Sequence, residues 1–263
     1  MTPPTATPAH NQRDHEWAVI LAGGDGTRLK PLTRHIAGDE RPKQFCSVLG
    51  RGTLLEETRR RVALEMTPKR TLCVVNRAHE SYYAPILDDE LGDNLVVQPS
   101  NRGTAPAILY SLLRIAARDP RAIVAFFPSD HYISDNVKFM SQIRVALDSV
   151  RQHHDLVVLL GLDPESPEVE YGWIEPGRAL RGAAKIFAVR CFWEKPNKML
   201  AQVLQRRGCL WNSFVMVGSV QALLGIIESA LPKIYYSFAD LKSSFRTAAA
   251  ANAIEALNGQ LPE

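Results

Sequence analysis

Near the start of the chain, Leu21-Ala22-Gly23-Gly24-Asp25-Gly26-Thr27-Arg28-Leu29 sets three glycines within four residues and follows them with a cation. Glycines let a backbone turn tightly and leave N–H groups free of Cβ crowding, so such a loop can wrap a polyphosphate. A helix N-terminus behind it adds partial positive charge. Arg28 can supply a fixed forked cation, and Lys43, within Arg41-Pro42-Lys43-Gln44-Phe45, a mobile point charge. Much further on, Pro128-Ser129-Asp130-His131 follows directly on an apolar run. In an open parallel sheet, ligands bind beyond the carboxyl ends of the strands, so Asp130 stands where a metal ligand or catalytic carboxylate is expected. A helix-capping aspartate is the other reading of the same residue. His131 can touch that site or serve as a hydrogen-bonded structural histidine.

Two common phosphate loops can be set against the glycine-rich stretch. The Gly-x-x-x-x-Gly-Lys-Ser/Thr pattern is absent. The dinucleotide fingerprint Gly-x-Gly-x-x-Gly fails, because Leu29 stands where its last glycine belongs. Hydride transfer with a dinucleotide is therefore disfavoured. The glycines alone leave two readings open, a phosphate loop of another kind and an ordinary β-to-α connection.

The elements around these residues read as alternating strands and helices. Trp17-Ala18-Val19-Ile20 is a buried first strand, and Thr53 with Glu56 fits a capping box for a helix that runs to about Met66, where Thr67-Pro68 ends it. Thr71–Val75 is a second strand, 79–90 a helix and Leu95–Val97 a third strand. Thr104 can cap a helix with Ala107, Ile108, Leu112 and Ile115 on its apolar face, and Ala122–Phe127 is the central strand. The repeated strand–helix unit predicts an α/β fold, a Rossmann-like, doubly wound and mostly parallel sheet. After a further strand at Leu156–Leu160 the rhythm changes. Pro164, Pro167 and Pro176 break the chain, Glu170–Ile174 reads as a short exposed-type strand, and a longer strand spans about Ala184–Glu194. This part is expected to form a smaller mixed sub-sheet. Residues 221–258 read as helices, the last of them Ala-rich over 247–257 and closed by Asn258-Gly259. Residues 1–16 read as a flexible tail and 17–263 as one domain.

The chain has 263 residues and a net charge of +3, too small to argue for nucleic acid or a membrane surface. The basic run Arg59-Arg60-Arg61 is read as a solvated helix face, and His153-His154 as surface. Cys46, Cys73, Cys191 and Cys209 are far apart and lack metal spacing, so free thiols in a reducing cytoplasm are expected. No segment is apolar for long enough to span a membrane, and the N-terminus lacks the apolar stretch of a signal peptide.

Taken as one string, Gly-Gly-x-Gly-Thr-Arg-Leu-x-Pro-Leu-Thr followed by Pro-Lys-Gln-Phe resembles the signature of the sugar-1-phosphate nucleotidyltransferases. The Lys-Gln-Phe ending is similar to the mannose-1-phosphate guanylyltransferase branch. So is Gln98-Pro99-Ser100-Asn101-Arg102-Gly103-Thr104-Ala105-Pro106-Ala107-Ile108, and so is Pro-Ser-Asp-His. Glu194-Lys195-Pro196 and Trp211-Asn212-Ser213 complete the resemblance, which runs from about Trp17 to Gly218.

The resemblance implies that Leu21, Ala22, Gly23, Gly24, Gly26 and Thr27, with Gln98, Arg102, Gly103 and Thr104, bind the nucleotide. It makes Arg28, Lys43 and Asp130 catalytic, with Asp130 a Mg²⁺ ligand. It assigns Gly172, Glu194, Lys195 and Asn212 to the sugar phosphate, on the other side of one cleft. The implied partners are GTP and mannose 1-phosphate and the products GDP-mannose and pyrophosphate, with a homodimer left open. UTP or dTTP with glucose 1-phosphate is the nearest alternative, and a non-catalytic nucleotide-sugar binding protein a further one. The chain departs from the family in two places. Phe214 stands where Trp-Asn-Ser is usually followed by glycine, and no Trp-Ser-Asp-x-Gly motif supplies the second metal ligand. Either the chain is a fragment or it has dispensed with that ligand.

Overall fold

A computed structural model describes residues 13–48, 50–87, 89–180 and 186–239. The Ala-rich helix expected at 247–257 and its cap lie outside these residues, as does most of the expected tail.

The chain forms two compact units, 1–157 with 217–263, and 158–216. The first is built on the strands β1 (Glu16–Leu21), β2 (Thr71–Asn76), β3 (Leu95–Gln98) and β4 (Ile123–Pro128), in the order β3-β2-β1-β4. All three pairings are parallel, with Ala18 opposite Thr71 and Ala125, and Asn76 opposite Gln98. Val19, Ile20, Leu72, Val75, Val124 and Phe126 are fully or almost fully buried. These strands are continuous apolar runs because helices cover both faces of the sheet.

Helices connect the strands: α1 (Lys30–Ala37), α2 (Leu54–Val62), α3 (Glu80–Tyr83), α4 (Thr104–Arg118) and α5 (Asn136–Gln152). The capping box of α2 forms as expected. Thr53 Oγ1 accepts from the Glu56 N–H at 3.2 Å, and Glu56 accepts from the Thr53 N–H at 2.7 Å.

Several expectations are corrected here. Helix α2 ends at Val62, and turns carry the chain on to Met66. Among the described residues of the 79–90 stretch only Glu80–Tyr83 is α-helical, with 3₁₀ turns on either side. Gly103, at φ +84°, is the N-cap of α4, so Thr104 is the first helical residue rather than the cap. The tail does not extend to Glu16, which begins β1 and is buried because its carboxylate pairs with Arg144 (2.7 Å) and Arg151. Arg61 is no solvated charge. It is 3% exposed, and its guanidinium donates to Asn136 Oδ1 at 2.7 Å and to the His131 carbonyl at 3.4 Å.

The second unit is smaller, as expected. It holds most of β5 (Val157–Leu162), then β6 (Trp173–Ala179), β7 (Phe187–Trp193), α6 (Lys198–Arg206) and most of β8 (Leu210–Ser219). Strand β6 lies between β7 and β8 and is antiparallel to both, and β5 pairs with β8. The strand expected at 170–174 begins only at Trp173, and Trp173 and Ile174 are buried rather than exposed. Pro176 does not break the chain: it sits inside β6 where the register with β7 shifts, and such an irregularity accommodates a residue without an N–H. The core of this unit is Trp173, Ala201, Leu204 and Cys209, with Trp193 and Trp211 packed against it.

The chain then returns to the first unit through α7 (Val220–Ala230) and α8 (Pro232–Ala239), which account for the described part of the helical stretch. Among the described residues, no helix is long and apolar enough to cross a membrane. All four cysteines are free, and burial pushes the Cys73 thiol up to about 12.

Candidate functional site

In the first unit the predicted residues gather at the carboxyl ends of β1, β3 and β4. Leu21 closes β1, and its carbonyl accepts from the Ser129 N–H at 3.1 Å and Ser129 Oγ at 2.7 Å. The end of β1 is thus stitched to the segment that presents Asp130. The Ala22 N–H donates to the Val74 carbonyl at 2.7 Å, so the glycine-rich loop starts from a fixed point.

The loop then needs its glycines for different reasons. At Gly23, a Cβ would lie 2.9 Å from Gln98 Oε1, so the buried Gln98 side chain walls this side of the loop. Gly24 has open space around it. Gly26 has φ +58°, and a Cβ there would sit 3.2 Å from the Lys43 nitrogen and 3.4 Å from Pro42 Cα. Two segments well separated in sequence therefore lie backbone to backbone. Thr27–Leu29 form a 3₁₀ turn that carries the exposed Arg28 into α1.

Gln44 is a residue beside the candidate site that sequence reasoning named without a role. It is 4% exposed, and its amide donates to the carbonyls of Ala22 (3.0 Å) and Gly24 (2.7 Å). With two loop carbonyls tied down, the loop's shape is fixed from behind. The Lys-Gln-Phe string was the available signal, but only the fold brings Gln44 under the loop.

Asp130 follows β4 and is half-buried, with His131 Nε2 at 3.7 Å from its carboxylate. Burial pushes His131 below the ordinary imidazole value. Asp130 opposes this, and Lys43 and Arg61 add to it. Arg61, bonded to the His131 carbonyl and lying over the Phe139 ring at 5.5 Å, steadies this loop and was missed in the sequence. Among the described residues, no group of three His, Cys, Asp or Glu side chains could hold a metal. A Mg²⁺ ion needs only one or two carboxylates when phosphate oxygens and water complete its shell, so Asp130 fits such a role.

Of the other residues expected to bind nucleotide, Gln98 ends β3, Arg102 is half-buried, and Gly103 and Thr104 open α4. Asn101 Oδ1 accepts from the Gly103 N–H at 3.0 Å and shapes this turn.

The second unit brings together three of its four predicted residues. A Cβ on Gly172 would meet Phe192 Cζ at 2.8 Å, Glu194 Oε2 at 3.1 Å and Asn212 Cβ at 3.4 Å. The Asn212 N–H donates to the Gly172 carbonyl at 2.7 Å. Lys195 follows Glu194 and is exposed, with φ +43°. Phe214, at φ +60°, is the other described non-glycine residue in this region of backbone space. Its N–H donates to Asn212 Oδ1 at 3.1 Å. Phe214 lies inside β8 with a left-handed backbone, which glycine adopts freely and a phenylalanine adopts under strain.

The pattern of the nucleotidyl transferase family matches residues 17–229. A mannose-1-phosphate guanylyltransferase of Klebsiella pneumoniae is 32% identical over 221 residues, covering 82% of this chain and 45% of that protein. The xanthan biosynthesis protein XanB of Xanthomonas campestris pv. campestris (strain B100) is 35% identical over 220 residues, covering 82% of this chain and 44% of its own. The chain thus spans about half the length of the curated relatives it matches. A crystal structure described as a mannose-1-phosphate geranyltransferase from Thermus thermophilus superposes with a TM-score of 0.78 at 29% identity, over 92% of this chain and 68% of that one.

Proposed function

This chain belongs to the nucleotidyl transferase family, and on that premise we propose that it transfers GMP from GTP to mannose 1-phosphate, forming GDP-mannose and pyrophosphate. The observation that carries the reading is the close packing of the Gly26 backbone on Pro42-Lys43, with Ser129 tying the segment that presents Asp130 to the end of β1. The similarity to mannose-1-phosphate guanylyltransferases supports the choice of GTP and mannose 1-phosphate.

A phosphate oxygen of the sugar phosphate attacks the α-phosphorus of GTP in line, and pyrophosphate leaves. The second pKa of a phosphomonoester is about 6, so the nucleophile is already anionic at neutral pH and needs no strong base. The task left to the protein is to neutralise and align two anions that repel each other. The glycine-rich loop offers backbone N–H groups to the triphosphate. Arg28 stabilises the departing pyrophosphate, and Lys43 binds phosphate near the transferring group. Asp130 would hold Mg²⁺, which when bound supplies charge neutralisation across triphosphate oxygens. In the second unit, Lys195 binds the sugar phosphate, while Glu194 and Asn212 read hydroxyls beside the Gly172 backbone. Four free thiols support a reducing, cytoplasmic setting.

The test is pyrophosphate release with mannose 1-phosphate, Mg²⁺ and each nucleoside triphosphate in turn. Release with GTP is expected. Release only with UTP or dTTP would keep nucleotidyl transfer and overturn the substrates.

A further inference from the structure

Asp25 is an acid in a loop otherwise suited to holding phosphate, and its carboxylate is engaged on both oxygens. Oδ1 lies 3.2 Å from His79 Nε2, and Oδ2 accepts from Asn101 Nδ2 at 2.8 Å. The same Asn101 amide accepts the Gly103 N–H through its oxygen at 3.0 Å, so one orientation of the amide satisfies both contacts. Gly103 is in turn the N-cap of α4, a helix of 15 residues.

His79 is 7% exposed and meets the Phe45 ring edge-on, with centroids 5.8 Å apart. Its Nδ1 is buried without a hydrogen-bond partner, which leaves Nε2 as the ring's working nitrogen. Burial pushes the imidazole below its ordinary value, Asp25 opposes this, and Lys30 adds to it. A neutral ring protonated on Nε2 donates to Asp25. The connections that follow β1, β2 and β3 therefore converge on one carboxylate.

We propose that Asp25 is a positioning residue for the nucleotide: through His79 and Asn101 it latches the glycine-rich loop to the 98–104 turn, so that the phosphate-binding and base-binding segments hold one spacing before the ligand arrives. The identity of the ligand rests on the nucleotidyl-transfer reading; the latch itself is a property of three loops of the first unit. Its value lies in pre-organisation, because a loop already held in its bound shape loses less freedom on binding.

The experiment uses the full chain with Asp25→Ala, Asn101→Ala, the double variant and Asp25→Asn, and takes two readouts. Without ligand, hydrogen exchange followed by mass spectrometry should quicken in Asp25→Ala both over 22–29 and over 98–104, a segment that does not contain the substitution. In titrations, the Kd for GTP should rise about tenfold (~1.4 kcal/mol), while the Kd for mannose 1-phosphate stays within twofold. The double variant should be no worse than either single one, since both break the same latch. Asp25→Asn, which keeps an acceptor, should recover part of the loss. Unchanged exchange over 98–104 in Asp25→Ala, or losses that add in the double variant, would overturn the latch. If the wild-type chain fails to bind GTP while the coupled exchange is present, the latch stands and the substrate reading fails.

Discussion

The two units hold their candidate residues by different means. In the first, the strands behind the site are buried on both faces, the Gln44 side chain fastens its turn to the glycine-rich loop with hydrogen bonds of 2.7 and 3.0 Å, and the Ser129 hydroxyl fastens its segment to β1 at 2.7 Å. The left-handed positions of its site loops are filled by Gly26 and Gly103. In the second, β7 is an edge strand with Phe187, Val189 and Phe192 exposed, and beside Glu194 and Asn212 two left-handed positions are filled by the non-glycine residues Lys195 and Phe214. Lys195 also precedes Pro196, whose ring restricts the backbone before it. The first unit is thus a hydrogen-bonded frame for its candidate residues, and the second a small sheet with backbone strain at Lys195 and Phe214.

The sharpest way to break this contrast is to remove the chemistry from the frame. Asp130→Asn should lower turnover roughly 10²–10³-fold with an unchanged unfolding midpoint, because it removes one electrostatic anchor and no packing. Near wild-type pyrophosphate release from this variant would remove Asp130 from the mechanism. The matching change in the second unit is Lys195→Ala, which should raise the Kd for mannose 1-phosphate about tenfold and leave that for GTP within twofold. Equal weakening of both ligands in titration calorimetry would erase the division of labour.

A paired backbone test has smaller effects of opposite sign. Gly26→Ala should destabilise by about 1 kcal/mol, because alanine is strained at φ +58°. Phe214→Gly should stabilise by about 1 kcal/mol, since it relieves φ +60° and costs little burial at a residue that is 37% exposed. Urea denaturation gives both signs, and a destabilised Phe214→Gly would mean that the aromatic side chain contributes packing worth more than the strain.

The smallest effect concerns pH. His79 has a folded value pushed below 6.5, chiefly by burial, so between that value and 6.5 the unfolded chain binds more protons than the folded one. The stability gained from a neutral His79 is therefore present above pH 6.5 and is lost as the pH falls towards the folded value. Urea midpoints from about pH 7.5 to about pH 5.5 should decline less steeply in His79→Gln than in the wild type.

Much of the frame was legible in the sequence because its signals are local. Thr53 and Glu56 are three residues apart, the apolar runs 17–20, 71–75 and 122–127 are contiguous, and the glycine spacing lies within a single turn. Gly172, Glu194 and Asn212 were named by resemblance, and they do converge. What stayed hidden depends on chain reversal. Asn101 reaches Asp25 across 76 positions, and Arg61 reaches the His131 carbonyl across 70. No periodicity reports such contacts. Arg61 was misread because its neighbour Arg60 is indeed exposed and paired with Glu57, and a basic run does not say which member the helix turns inward. Pro176 was misread because a proline in a strand is tolerated only where the register slips, a property of two strands rather than one.

The most direct test of the central claim is ³¹P NMR of the chain mixed with GTP, mannose 1-phosphate and Mg²⁺. The account predicts that the mannose 1-phosphate and GTP resonances decline together while those of a sugar-linked diphosphate and of free pyrophosphate grow in equal amounts. GTP that binds and stays intact beside unreacted mannose 1-phosphate would contradict it.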